Sequence, residues 1–189
     1  MSFWESKIDI LLSKTRQIFY QKLFVTVIGP QNCPSDVVFV VDGSGSIGSD
    51  NFAKVKSFLS KLVGRMDIDS GNTRVGLVTF STNVGSGFNL SAYSTVASVQ
   101  AAISSLSYLD GQTNTADALA YVRTMMLTSA AGDRPHVPNV VVVLTDGQSN
   151  SQSSTRVSDQ YIDMHKCLCC SSHYVVFFRF RLNYNIYDM

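Results

Sequence analysis

Apolar positions along this chain switch between two spacings, and each switch marks an element. Residues 36–41 (DVVFVV) form a continuous run of β-branched and aromatic side chains. Continuous rather than alternating hydrophobicity predicts a strand buried on both faces, as in a parallel sheet. After a Gly/Ser turn, Phe52, Val55, Phe58, Leu59, Leu62 and Val63 recur at helical spacing, with Ser49 or Asp50 as the expected cap. Residues 74–80 (RVGLVTF) read as a second strand, and the glycine-containing stretch 85–90 as its hairpin partner at a sheet edge. Val96, Val99, Ile103 and Leu106 predict a small helix capped by Ser94 or Thr95. Residues 115–126 predict another, with Ala118, Leu119, Val122, Met125 and Met126 on its apolar face. A turn at 132–138 leads into 139–146 (NVVVVLTD), the clearest strand of the chain and the second to end on Asp.

Strand–helix alternation with buried strands predicts an α/β fold: an open, doubly wound, mostly parallel sheet with helices on both faces. In such sheets the functional site lies beyond the carboxyl ends of the strands, where strand order reverses. Three segments converge on that edge: 42–46 (DGSGS), 112–115 (QTNT) and 145–147 (TDG). They supply two carboxylates, several hydroxyls and glycines that permit tight turns. The alternate spacing of Asp42, Ser44 and Ser46 can aim all three side chains into one cavity. Hard oxygen donors carrying few charges suit magnesium or manganese, and calcium less tightly. Taken alone, residues 42–46 would read as a turn capping the next helix. Thr113 and Asp146 in register with them favour a metal site.

Composition narrows the function classes. At 189 residues with 45% apolar and 15% charged side chains, the chain has material for one folded domain and a terminal extension. A net charge of +1 lacks the basic footprint of nucleic-acid binding. No apolar run approaches the roughly 18–20 residues of a membrane span. Enzyme readings fail on their motifs: residues 43–45 have no Gly-Lys-Ser/Thr continuation to hold a phosphate and no full nucleophile elbow, and His136 stands on the wrong side of the last strand. Near the start, Ile8, Leu11, Leu12, Ile18 and Phe19 recur at helical spacing, so residues 1–32 read as an amphipathic or leader-like extension without a clear signal-peptide pattern. Cys33 stands alone, whereas Cys167, Cys169 and Cys170 cluster near the C-terminus. A disulfide between the two groups, a zinc site using His165 and His173, and unpaired thiols all stay open, with unpaired thiols preferred.

The stretches VVFVVDGSGSIG, RVGLVTFS, GQTNTADAL and VVVVLTDGQS, in that order, resemble the von Willebrand factor type A (vWA) family, most closely its collagen VI and matrilin group. The resemblance runs over residues 36–149 and implies a Rossmann-like vWA fold. It implies that Asp42, Ser44, Ser46, Thr113 and Asp146 form a metal-ion-dependent adhesion site for Mg2+ or Mn2+. The serines, and sometimes the threonine, would bind the ion directly, and the aspartates largely through water. An open coordination position would await an acidic side chain of an extracellular-matrix or cell-surface partner, collagen among them. The expected function is therefore adhesion outside the cell. An intracellular scaffold with the same fold and a truncated, non-functional fragment are the alternatives. On this reading the domain core is 33–154. Residues 155–189 depart from the family pattern and would leave the sheet incomplete at its C-terminal side. That departure makes 155–189 a divergent tail, with a helix expected near 155–170. Residues 174–180 are then expected either to dock beside 140–144 as a substitute strand or to stay disordered.

Overall fold

The computed structural model describes residues 34–146 and 174–179. Of the two compact units into which the chain divides, Met1–Cys33 and Pro34–Met189, the second holds all of them. The expected extension at 1–32, the four cysteines and the expected helix at 155–170 lie outside the described residues.

Strand β1 (Ser35–Asp42) is buried along its whole length, as its unbroken apolar run requires. It pairs in parallel with β2 (Thr73–Phe80) on one side and, through Asp36↔Asn139 to Val41↔Leu144, with β4 (Asn139–Thr145) on the other. The short β3 (Val84–Phe88) closes one edge antiparallel to β2. Strand β5 (Tyr174–Arg179) pairs in parallel with β4, from Val140↔Tyr174 to Thr145↔Arg179. The sheet order is therefore β3-β2-β1-β4-β5, mostly parallel. The expected strand at 174–180 is present and covers an edge of β4 that would otherwise offer its backbone to another chain.

Helix α1 (Ser49–Val63) connects β1 to β2, moving one way across the sheet, and α3 (Thr115–Tyr121) precedes β4, moving the other way. Right-handed crossovers in opposite directions put these helices on opposite faces. On the α3 side, Val38, Val40, Val78, Phe80, Val141 and Val143 meet Ala118, Leu119, Val122 and Met126 in one buried cluster. Strand alternation turns Val37, Phe39 and Val41 to the other face, where each is fully buried. The buried stripe of α1, Phe52, Val55, Leu59, Leu62 and Val63, belongs to that side. Helix α2 (Val96–Ser104) is tied to α1 by polar bonds. Gln100 Nε2 donates to the Ser60 carbonyl at 2.9 Å, and Lys56 Nζ to the carbonyls of Ser104 and Leu106 at 3.0 Å each. Each large apolar side chain fully enclosed in these layers contributes about 1.5–3 kcal/mol.

Local details depart from expectation in two places. Neither Ser49 nor Asp50 caps α1: the cap is Gly48, at φ 74° and with no side-chain bond, while Asp50 sits in the first turn, where a negative charge complements the helix dipole. By contrast, Thr95 caps α2 in a reciprocal arrangement with Ser98, as read from the sequence. The helix expected over 115–126 ends at Tyr121 and continues as one π turn, Val122–Met126. The wider turn changes the phase of the apolar stripe, so Met126 is buried but Met125 is 56% exposed.

At the amino end of the strands, buried Asp36 is held by Arg134. The Arg134 backbone N–H donates to Oδ2 at 2.8 Å and its Nε to Oδ1 at 2.8 Å. Its Nη1 donates to the Gly71 carbonyl at 2.9 Å, and its Nη2 to those of Ser35 at 3.0 Å and Asn72 at 2.9 Å. One guanidinium thus stitches the start of β1 to the turn before β2.

Candidate metal centre

Asp42 is the last residue of β1 and Asp146 the first after β4. These strands are neighbours at the point where the order runs both ways from β1, so parallel pairing alone brings both carboxylates to one end of the sheet. Asp42 is fully buried. Its Oδ1 accepts the Ser44 N–H at 2.9 Å and its Oδ2 the Thr145 hydroxyl at 2.6 Å. The backbone then turns so that Ser44 Oγ lies 3.2 Å from Ser46 Oγ, and Ser46 Oγ donates to Asp146 Oδ1 at 3.0 Å.

Thr113 is carried to this end of the sheet by the neighbouring loop. Gly45 N–H donates to the Gly111 carbonyl at 2.9 Å and Asn114 N–H to the Ser81 carbonyl at 2.8 Å, and Thr113, between those two anchors, is buried. Direct bonds therefore join Asp42, Ser44, Ser46 and Asp146, and the loop carrying Thr113 is laid against them.

The donor set fits a small hard cation. In an octahedron with metal–oxygen distances of about 2.1 Å, neighbouring oxygens are about 2.9 Å apart, against roughly 3.3–3.7 Å around calcium. The 3.0 Å between Ser46 and Asp146 falls at the first value, and the 3.2 Å between Ser44 and Ser46 lies between the two. Among the described residues no group of three or more His, Cys, Asp or Glu gathers. The available ligands at this end are thus carboxylate and hydroxyl oxygens.

Two residues outside the predicted set support it. Thr145 bonds Asp42, and its place immediately before Asp146 was the available signal. Tyr108 donates its hydroxyl to the Ser44 carbonyl at 3.2 Å while its ring packs on Phe52 at 5.7 Å. No local pattern marks Tyr108. Tyr108→Phe keeps the ring contact and removes the bond, so urea unfolding should show a loss of about 0.5–1.5 kcal/mol.

Burial raises the Asp42 carboxyl above its ordinary value of 3.8; bonds from Thr145 and Ser44 oppose this, and the charge of Asp146 adds to it. A raised folded-state value means that the folded chain binds this proton more tightly than the unfolded one. Stability from this group is present in full below pH 3.8 and is lost as pH rises through the folded value. In chelator, Asp42→Asn should therefore melt above the wild type, by a margin that grows from pH 4 to pH 7. Magnesium should shrink or reverse that margin; thermal unfolding across pH, with and without the ion, measures it.

The von Willebrand factor type A domain model matches residues 36–177. Mouse collagen alpha-4(VI) chain is 42% identical over 129 residues, which is 67% of this chain and 6% of that protein. Human matrilin-1 is 36% identical over 121 residues, 64% of this chain and 24% of its own length. Among solved structures, proximal thread matrix protein 1 of the mussel byssus superposes with a TM-score of 0.69 at 23% identity, covering 77% of this chain and 37% of that one. A form of the same mussel protein with a zinc-occupied MIDAS motif gives a TM-score of 0.62 at 25% identity, covering 76% and 41%. This chain spans less than half of each of these proteins.

Proposed function

This chain belongs to the von Willebrand factor type A family, with relatives of the extracellular-matrix type, and from that premise we propose that it is a metal-dependent adhesion module. Asp42, Ser44, Ser46, Thr113 and Asp146 hold a divalent cation, Mg2+ or Mn2+, at the carboxyl end of the sheet. The observation that carries this reading is the hydrogen-bonded row of oxygens from Ser44 through Ser46 to Asp146, with buried Asp42 behind it, at the carboxyl end of the sheet. The zinc in the mussel protein's motif supports a divalent ion at such a motif, and the all-oxygen donors here favour a harder one.

When bound, the cation supplies Lewis acidity toward an anionic oxygen from outside. The chain's own residues prepare that role. Thr145 and the Ser44 N–H fix the Asp42 carboxylate behind the loop, and Tyr108 holds the Ser44 carbonyl. Serine and threonine donors are neutral, so two carboxylates are the charge offered by the set. A carboxylate of a matrix or cell-surface protein would be the ligand such an ion draws from outside. The matrix relatives support a location outside the cell. The β4–β5 pairing supports a chain that folds as a domain.

Binding of the full chain to immobilised collagens tests the proposal. It should be saturable in magnesium, vanish in chelator and return when magnesium is restored. Binding that is equal in chelator would sink the mechanism.

A further inference from the structure

The sequence holds the pattern Asn-x-Ser/Thr once, at Asn89-Leu90-Ser91, with a residue other than proline in the middle. These three residues follow β3 directly. Asn89 is exposed and Leu90 is buried, and the Asn89 carbonyl accepts the Ala92 N–H at 3.1 Å, which closes a turn over 89–92. Ser91 fastens that turn: its N–H donates to the Ala131 carbonyl at 3.2 Å and its hydroxyl to the same oxygen at 3.4 Å. Among the described residues no hydrogen bond engages the Asn89 side-chain amide. Leu90 and Ser91 thus anchor the turn, and the amide is left outside, where a bulky substituent displaces no contact.

The surroundings of Asn89 suit a sugar. Phe88 and Tyr93 meet edge to face with ring centroids 5.1 Å apart, and Tyr93 and Tyr121 are 37% and 36% exposed. Phe88, Asn89 and Tyr121 line one cleft together with Gly85 and Gly87 of β3. A sugar ring presents a face of C–H groups that packs on aromatic rings as other apolar surface does. Strand β3 also stands at the end of the sheet, where an uncovered edge invites pairing with another chain. Because β3 runs antiparallel to β2, with Val84 opposite Phe80 and Phe88 opposite Leu77, Asn89 lies away from the strand ends that carry Asp42 and Asp146. A group on Asn89 leaves the metal centre clear.

Resting on the location outside the cell proposed above, we infer that Asn89 carries an N-linked glycan, added as the chain enters the secretory route, which shields the β3 edge and the aromatic patch beside it. The donor is an oligosaccharide held through its anomeric carbon on a lipid diphosphate. Asn89 Nδ2 bonds to that carbon as the bond from carbon to diphosphate oxygen breaks. The lipid diphosphate leaves with the electron pair, one Nδ2 proton passes to solvent, and nothing is oxidised or reduced. Ser91 supplies the hydroxyl that the transferase requires two positions on. Leu90 becomes buried on folding, so transfer precedes folding and the turn then presents the glycan outward.

The test secretes the full chain from animal cells behind an added cleavable leader. Digestion with a glycan-releasing amidase should shift the secreted chain down by one carbohydrate step, and digestion in heavy-oxygen water should label position 89. Asn89→Gln and Ser91→Ala, which remove the acceptor and the hydroxyl separately, should each abolish the shift. A secreted chain with no shift, or a shift that either variant keeps, would overturn the site. The endogenous protein, captured by antibody, should shift in the same way. An endogenous chain without glycan beside a glycosylated leader form would overturn the location outside the cell, and the proposal with it. In size-exclusion chromatography the glycosylated chain should elute as one species and secreted Asn89→Gln partly as larger ones; equal elution would overturn the shielding.

Discussion

Arg134→Met is expected to cost about 3–5 kcal/mol of folding stability, because it leaves the Asp36 carboxylate buried with only the backbone N–H of residue 134 as a donor. Three carbonyls, those of Gly71, Ser35 and Asn72, each lose a guanidinium donor in the same step, and Asn72 keeps the Ser35 N–H. Domains of this size are held by roughly 5–15 kcal/mol, so the loss is a large fraction of the whole. It should appear as a fall in melting temperature of about 10–15 °C and a matching shift in the urea midpoint. Pairing the change with Asp36→Asn should restore part of the loss, since the stranded charge is gone. Arg134→Lys should recover less than the wild type has, because an ammonium cannot reproduce the guanidinium fork between β1 and the turn before β2. Magnesium should still raise the melting temperature of the Met variant, because the lesion lies at the opposite end of the strands from Asp42 and Asp146.

Asp42→Ala should act in the converse way. The Ser44 N–H and the Thr145 hydroxyl lose their acceptor, and the loop carrying Ser44 and Ser46 loses the group that orients it. Removing such a supporting carboxylate typically weakens metal affinity about 10–100-fold. Stability should change far less than in Arg134→Met, since a costly buried charge leaves together with two bonds. Binding to immobilised collagen at a fixed, near-saturating magnesium concentration should fall by a similar factor. Raising magnesium should recover it in part. A variant that binds as well as the wild type at low magnesium would separate Asp42 from the metal.

The contrast between these two sites shows what could be read from the sequence. The sheet was legible because buried parallel strands must be apolar on both faces, and 36–41 and 139–146 carry that requirement in consecutive letters. Asp42, Ser44, Ser46 and Asp146 were legible because each stands on, or next to, a strand end, and pairing of β1 with β4 then juxtaposes them. Strand β5 was legible as one of two outcomes, docking or disorder, from the apolar run in 174–180 and the edge of β4 that it would fill. Arg134 was not legible: it lies 98 residues from Asp36 in a segment that reads only as a turn. Tyr108 was hidden for the same reason, since its bond to Ser44 spans 64 positions. Gly48 escaped because a cap supplied by backbone conformation leaves no side-chain signature, and Met125 because one π turn breaks the helical period that placed it inside.

Titration of Mn2+ into the full chain, with free manganese followed by electron paramagnetic resonance, measures the metal centre without any partner. One tight ion per chain is expected, displaced by excess Mg2+ and weakened about 10–100-fold by Asp42→Ala but unaffected by Arg134→Met below its melting temperature. No bound manganese, or binding that Asp42→Ala leaves unchanged, would contradict a cation held by Asp42, Ser44, Ser46, Thr113 and Asp146.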